Sequence, residues 1–258
     1  MPPAPLVPEF GLVPFDTIDS TNEEARRRAT AGAAEGTVIV AAAQTRGRGR
    51  RGRHWDSPAG NLHCSILLKP AVPLGEAANL SFVAAVALAE ALEPIVAAKG
   101  RVTLKWPNDV LLNERKVAGI LLESQTEDGR LGFIIVGVGV NVAHFPGEVM
   151  FPATSLQAVG CAGLTVAAVR DAFLDRFRHW YGRWREAGFA AVRAEWLARA
   201  ARLGETVEVR LGRDRVAGRF AGLSETGALL LDVPGEGRRD ISAGDVFFAH
   251  GTADRASG

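Results

Sequence analysis

Apolar residues recur along this chain in two periods, one suited to strands and one to helices. Residues 12–18, 37–43, 62–68, 102–105, 110–112, 116–124 and 131–142 are apolar and often β-branched, and they predict strands. Asn113-Glu114 and Asp128-Gly129 fall between the last three of these as hairpin turns. Helical spacing begins after Asp19-Ser20-Thr21-Asn22, a run of N-cap candidates followed by Glu23 and Glu24, and extends to Thr30. Residues 79–98 are the longest helical pattern, and 165–186 and 189–201 predict two more helices. Val169, Phe173, Phe177 and Trp180 repeat on one face and are assigned to the core.

The texture changes near Leu203. Short strands at 206–211, 215–223, 228–233, 240–242 and 246–249 alternate with glycine turns, the pattern of a small β-barrel. The body before it lacks a regular βαβ rhythm, which predicts an α+β fold with a mixed, largely antiparallel sheet flanked by helices. The expected division is a disordered segment at 1–8, a main domain at 9–202 and a C-terminal domain at 203–258.

Composition narrows the setting. The 258 residues are 47% hydrophobic, enough for a substantial core, and the net charge is +1. No global field draws nucleic acid or anionic lipid, so positive charge acts locally. Cys64 and Cys161 have no metal-ligand spacing, and Cys64 reads as a small core residue. The N-terminal residues are proline-rich without a signal-peptide pattern. Glu90, Glu93 and Pro94 interrupt the alanine-rich stretch at 80–98, which argues against a membrane span. A cytoplasmic protein is expected.

The local charge lies in Gly47-Arg48-Gly49-Arg50-Arg51-Gly52-Arg53-His54-Trp55, between two strand-like runs. Glycine permits tight bends and close approach, and arginine offers planar charged forks for carboxylate and phosphate. Such a loop is suited to closing over an anion. Arginine–glycine repeats also occur in RNA-binding tails, but those are long and low in complexity. A P-loop would need a lysine and a following helix, and here Ser57-Pro58 leads into a strand. A solvated surface loop is the bland alternative.

Three further motifs follow. Lys105-Trp106-Pro107-Asn108-Asp109 is a turn former carrying polar groups. Lys116 begins a strand of core residues that includes Gly119. Gly137-Val138-Gly139-Val140-Asn141-Val142 alternates glycine with valine, and glycine inside a strand marks close approach of a ligand or another backbone. No helix follows those glycines, so they do not form a dinucleotide fingerprint.

Taken together, Ser20-Thr21-Asn22, Gln44 with residues 47–55, Lys105 to Asp109, Lys116 to Gly119, and residues 137–141 resemble the biotin protein ligases in order and spacing. The resemblance covers nearly the whole chain. It implies a catalytic domain like those of class II aminoacyl-tRNA synthetases and biotin ligases, followed by an SH3-like barrel. It also implies the enzyme-only form, without the N-terminal DNA-binding domain of the family's repressors.

The chemistry implied is activation of biotin by ATP and Mg2+ to biotinyl-5′-AMP, then transfer to a lysine of a biotin carboxyl carrier domain. By this resemblance Ser20, Thr21, Asn22, Gln44, Gly47, Arg48, Gly49, Arg50, Lys116 and Gly119 bind biotin. Arg50, Arg53, Trp55, Asn108, Lys116 and Asn141 bind ATP or its adenine. Lys116, Arg50, Arg53 and Asp109 are the catalytic candidates. Asp109 orients or deprotonates the incoming amine, or helps hold metal; otherwise the metal is held through the ATP phosphates. His63 is a departure, standing where relatives often place an aromatic residue against biotin. The resemblance implies no specific DNA binding and no membrane partner, and leaves room for a homodimer. Lipoate–protein ligase or octanoyltransferase, which share the catalytic fold, is the competing reading, and a nucleic-acid-binding module is a non-enzymatic one.

Overall fold

The computed structural model describes residues 7–147, 151–212 and 214–248. Its larger sheet contains β1 (Gly11–Ile18), β2 (Thr37–Gln44), β3 (Leu62–Leu68), β4 (Val102–Lys105), β5 (Asp109–Leu112), β6 (Arg115–Glu127) and β7 (Arg130–Val140). The spatial order is β1-β2-β3-β7-β6-β5-β4. Only β1 and β2 run parallel; every other neighbouring pair is antiparallel. The expectation of a mixed, largely antiparallel sheet is borne out.

Strand alternation sends residues to two different environments. Leu62, Cys64, Ile66 and Leu68 of β3, with Val136, Val138 and Val140 of β7, enter the large core. That core is completed by α3 (Leu80–Val96), α4 (Val166–Ala187) and α5 (Phe189–Ala198). Val169, Phe173, Phe177 and Trp180 of α4 are buried there, as their spacing predicts. The opposite face carries a smaller core, in which Ala25 and Ala29 of α1 (Thr21–Thr30) meet Ile39, Leu67, Phe133 and Ile135. Gly137 and Gly139 face this second side, leaving sheet surface open beside α1.

Helix α3 and the short α2 (Leu74–Ala77) before it are together long and apolar enough to cross a membrane by length and composition. In the fold, α3 is the central helix of the core: Leu80, Val83, Val86, Leu88 and Leu92 are fully buried. Its all-round apolarity is spent on the sheet, α4 and α5.

The second sheet is antiparallel, in the order β11-β10-β9-β8-β12. Its strands are β8 (Thr206–Leu211), β9 (Asp214–Leu223), β10 (Leu229–Val233), β11 (Gly237–Ile241) and β12 (Asp245–Phe248). It docks on the main body through the Trp106 indole, which donates to the Gly227 carbonyl at 3.1 Å, and through Arg193, which donates to the Leu223 carbonyl at 2.8 Å. β11 begins before the strand expected at 240–242, because Gly237 turns with a φ of 85° and starts the hairpin early. Ala249, expected to end the last strand, lies outside the described residues, as do residues 1–6 of the expected N-terminal segment. Val7 of that segment packs against the large core.

Candidate active site

The site forms on the α1 side of the larger sheet, where the glycine–valine alternation leaves room. A Cβ on Gly137 would stand 2.3 Å from Asn22 Oδ1, and one on Gly139 would stand 2.6 Å from the Trp55 indole. On the neighbouring strand, a Cβ on Gly119 would meet Trp55 at 3.2 Å and Lys116 Nζ at 3.3 Å. These glycines admit side chains that close approach would otherwise exclude. The valines between them belong to the core.

A buried polar network lines one end of the cavity. Ser20 occupies the N-cap position of α1, but its side chain makes no capping hydrogen bond. Gln44 Oε1 accepts from the Thr21 amide at 2.8 Å and lies 3.1 Å from the Thr21 hydroxyl. Gln44 Nε2 donates to Ser57 Oγ at 2.9 Å. Ser65 Oγ stands 2.6 Å from Asn22 Oδ1 and 2.7 Å from Thr21 Oγ1. Two hydroxyl hydrogens serve three contacts among Ser65, Thr21, Asn22 and Gln44, so the network is rich in acceptors. It suits a ligand that brings its own N–H donors.

The glycine–arginine loop covers the other side. It folds back on itself: Gly49 donates to the Arg53 carbonyl at 2.7 Å, and Trp55 to the Gly47 carbonyl at 3.0 Å. Arg51 sits at the tip in the left-handed region, with a φ of 57°. Its arginines are compensated by carboxylates. Asp245 of β12 receives Arg53, Arg51 at 3.3 Å and Arg50 at 3.7 Å. Arg48 pairs with Glu23 and lies 3.1 Å from Glu123. Arg50 also donates to Asn108 Oδ1 at 3.3 Å. Burial pushes the Arg50 guanidinium below its usual range.

Lys116 and Asp109 complete the floor. A register shift between Val110 and Leu111 places Lys116 opposite Leu111, and its Nζ reaches Asp109 Oδ1 at 2.6 Å. Lys116 Nζ also stands 5.3 Å from the centroid of the Trp55 ring. Lys105 Nζ lies 3.9 Å from the other oxygen of Asp109 and 3.4 Å from the centroid of Phe151. Burial pushes the Lys105 ammonium down to about 8.

The comparisons with known proteins agree with this geometry. The model of the Biotin/lipoate A/B protein ligase family matches residues 15–141, and that of the Biotin protein ligase C terminal domain matches residues 203–249. A biotin–[acetyl-CoA-carboxylase] ligase of Paracoccus denitrificans is 44% identical over 235 residues, covering 89% of this chain and 97% of the relative. The chain belongs to the biotin protein ligase family.

The biotin–[acetyl-CoA-carboxylase] ligase of Mycobacterium tuberculosis is 36% identical, with 88% of this chain and 85% of the relative covered. Among solved structures, the biotin protein ligase of Aquifex aeolicus in complex with biotin and ATP superposes with a TM-score of 0.78 at 34% identity, covering 92% of this chain and 97% of that one. The fold expectation, a biotin ligase-like domain with an SH3-like C-terminal sheet, stands with these neighbours.

Most of the residues singled out by family resemblance line one cavity: Ser20, Thr21, Asn22, Gln44, Arg48, Gly49, Arg50, Arg53, Trp55, Asn108, Asp109, Lys116 and Gly119. Three do not. Gly47 lies behind the lining, where a Cβ would meet Ser57 Oγ and the Trp55 carbonyl at 2.3 Å. Asn141, expected to hydrogen-bond adenine, is buried and donates instead to the Thr154 carbonyl at 3.0 Å. Its amide tethers the segment carrying Phe151. His63, expected against biotin, is 1% exposed and sits 3.2 Å from the Pro58 carbonyl, where burial lowers its pKa.

Sequence reasoning missed Ser65, Glu123 and Asp245. Ser65 is hidden among the apolar residues of β3, and Glu123 opens the polar end of β6, where a carboxylate reads as solvated. Asp245 lies more than 190 positions from the loop it neutralises, and no local pattern connects the two.

Proposed function

We propose that this protein is a biotin protein ligase that activates biotin with MgATP and transfers it to a lysine of a carboxylase's biotin carboxyl carrier domain. The observation that carries this reading is the convergence of three groups on one cavity. These are the acceptor-rich network around Thr21 and Gln44, the arginine loop, and Lys116.

In the first step the biotin carboxylate attacks the α-phosphorus of ATP, forming an acyl–phosphate bond as pyrophosphate leaves. Both reactants are anions, so positioning them together requires cations. Lys116 is the cation assigned to the meeting point of carboxylate and α-phosphate, and Arg50 and Arg53, which line the same cavity, are assigned to the phosphates. In the second step the acceptor amine attacks the acyl carbon, the bond to AMP breaks, and the amine proton is lost. Asp109, which lines the cavity and pairs with Lys116, is the carboxylate assigned to orient that amine or take its proton.

Magnesium fits this site as an ion carried on the ATP phosphates. Among the described residues no cluster of three His, Cys, Asp or Glu side chains is placed to hold a metal. The oxygens of Asp109 already face Lys116 and Lys105. A phosphate-borne ion needs at most one or two protein carboxylates, and Asp109 and Asp245 line the cavity. Bound there, magnesium would offset phosphate charge.

The polar network favours biotin over lipoate or octanoate. An apolar acyl chain would leave the spare acceptor capacity of the Thr21, Ser65 and Gln44 network unmet, whereas a ureido ring supplies two N–H donors and a carbonyl acceptor. Sites built for hydrogen bonding discriminate strongly against analogues that lack it. Compensation of the loop arginines by Asp245, Glu23 and Glu123 disfavours the nucleic-acid reading, which needs free surface cations.

Incubation with biotin, MgATP and a biotin carboxyl carrier domain tests the proposal. The carrier should gain one biotinyl group at one lysine, and replacing that lysine with arginine should abolish the gain. An unmodified carrier, with adenylate formed, would refute the acceptor assignment.

A further inference from the structure

Glu123 stands at the junction of the two halves of the site. It lies on β6, and its side chain is 21% exposed. Asn22 Nδ2 donates to Glu123 Oε2 at 2.8 Å, and Arg48 donates to the same oxygen at 3.1 Å. Arg26 of α1 lies 3.6 Å from the other oxygen. Glu123 therefore links a side chain of the buried polar network with an arginine of the covering loop.

The link closes a circuit. From Trp55 the contacts run through Ser57, Gln44, Thr21, Ser65 and Asn22 to Glu123, and from there to Arg48. The chain of contacts leaves one end of the glycine–arginine loop, passes through the buried polar network and returns to the other end.

Asn22 can face Ser65 with either its oxygen or its nitrogen. A carboxylate only accepts, so Glu123 turns the nitrogen toward itself and leaves the oxygen on Ser65. We propose that Glu123 is a positioning residue that fixes the Asn22 amide for biotin recognition and anchors Arg48 over the same pocket. Glu123 thereby couples biotin binding to closure of the loop. This inference rests on the biotin reading of the site.

Two variants separate the two roles. Glu123→Ala removes both contacts and should raise the biotin Kd about tenfold, the scale of one hydrogen bond to a charged group. Combining it with Asn22→Ala should weaken biotin by clearly less than the product of the two single effects, because both act on the same amide. Glu123→Gln keeps an oxygen for Asn22 but loses the charge that anchors Arg48. Its biotin Kd should stay within about threefold of the parent protein, while release of preformed biotinyl-5′-AMP should quicken about fivefold.

A general folding defect would move both readouts in both variants alike, and that outcome would overturn the proposal. So would a biotin Kd unchanged by Glu123→Ala, or full additivity with Asn22→Ala. If the unsubstituted protein binds no biotin, the functional reading itself fails. Biotin binding that is indifferent to Glu123 removes only this inference.

Discussion

Lys116 and Asp109 face each other across two adjacent strands, with Nζ and Oδ1 at 2.6 Å. Each charge of the pair offsets the other beside Trp55, whose ring centroid lies 5.3 Å from Lys116 Nζ. On the proposed reading, Lys116 serves the first step and Asp109 the second.

The two residues should therefore fail differently. Lys116→Ala should slow adenylate formation a hundredfold or more, the ~2.7–4 kcal/mol typical of losing one transition-state donor. Biotin affinity should change little, because the ureido end contacts other groups. Asp109→Asn should impair transfer from preformed biotinyl-5′-AMP and largely spare adenylation. Single-turnover measurements of each half-reaction check this, and equal losses in both for Asp109→Asn would contradict the division.

Asp245→Ala should loosen the glycine–arginine loop. One carboxylate gathers Arg50, Arg51 and Arg53, and without it three like charges repel at the tip. Limited proteolysis between residues 47 and 53 should accelerate several-fold without ligand, and biotin with ATP should restore protection. Unchanged cleavage would show that backbone contacts alone hold the loop.

The loop, Lys116 and the glycine–valine strand were legible because each breaks a local rule: charge among glycines, a lysine in a core strand, glycine within a strand. The same rule-breaking signalled that Gly137 and Gly139 admit close neighbours, but not which ones. Trp55 of the loop and Asn22 of α1 fill those spaces through contacts between segments far apart in sequence. Asn141 shows the complementary case. It adjoins the telling glycines in sequence, yet β7 ends at Val140 and the Asn141 amide donates to the Thr154 carbonyl, a contact that no local pattern encodes. The sheet types and helices followed from periodicity, whereas the docking of Asp245 on the loop is a long-range contact that no local pattern encodes.

Gly139→Ala should damage the site more than the fold. The added methyl would stand 2.6 Å from the Trp55 indole and displace it, at a cost of ~1–3 kcal/mol for overpacking. Trp55 fluorescence, isolated by comparison with a Trp55→Phe control, should shift, and ATP affinity should fall. Gly11→Ala is the counterpart, since its Cβ meets nothing within 4 Å and should leave ATP affinity unaltered.

Stability should carry an acid signature from Asp19. The Arg27 guanidinium holds its carboxyl near 2 rather than 3.8, with further help from the Ser20 amide at 2.7 Å. The folded-state pKa is depressed, so this stabilisation is present above about pH 4 and is lost as pH falls through 2. Asp19→Asn should destabilise the protein by ~1 kcal/mol at neutral pH, the scale of a partly exposed pair. The difference from the parent protein should shrink toward zero near pH 2, as checked by urea unfolding across that range.

ATP–pyrophosphate exchange, with biotin, lipoate and octanoate offered separately and no carrier present, tests the central claim most directly. Exchange should depend on biotin and remain near background with the other two acids. Exchange supported by lipoate or octanoate but not by biotin would contradict the account.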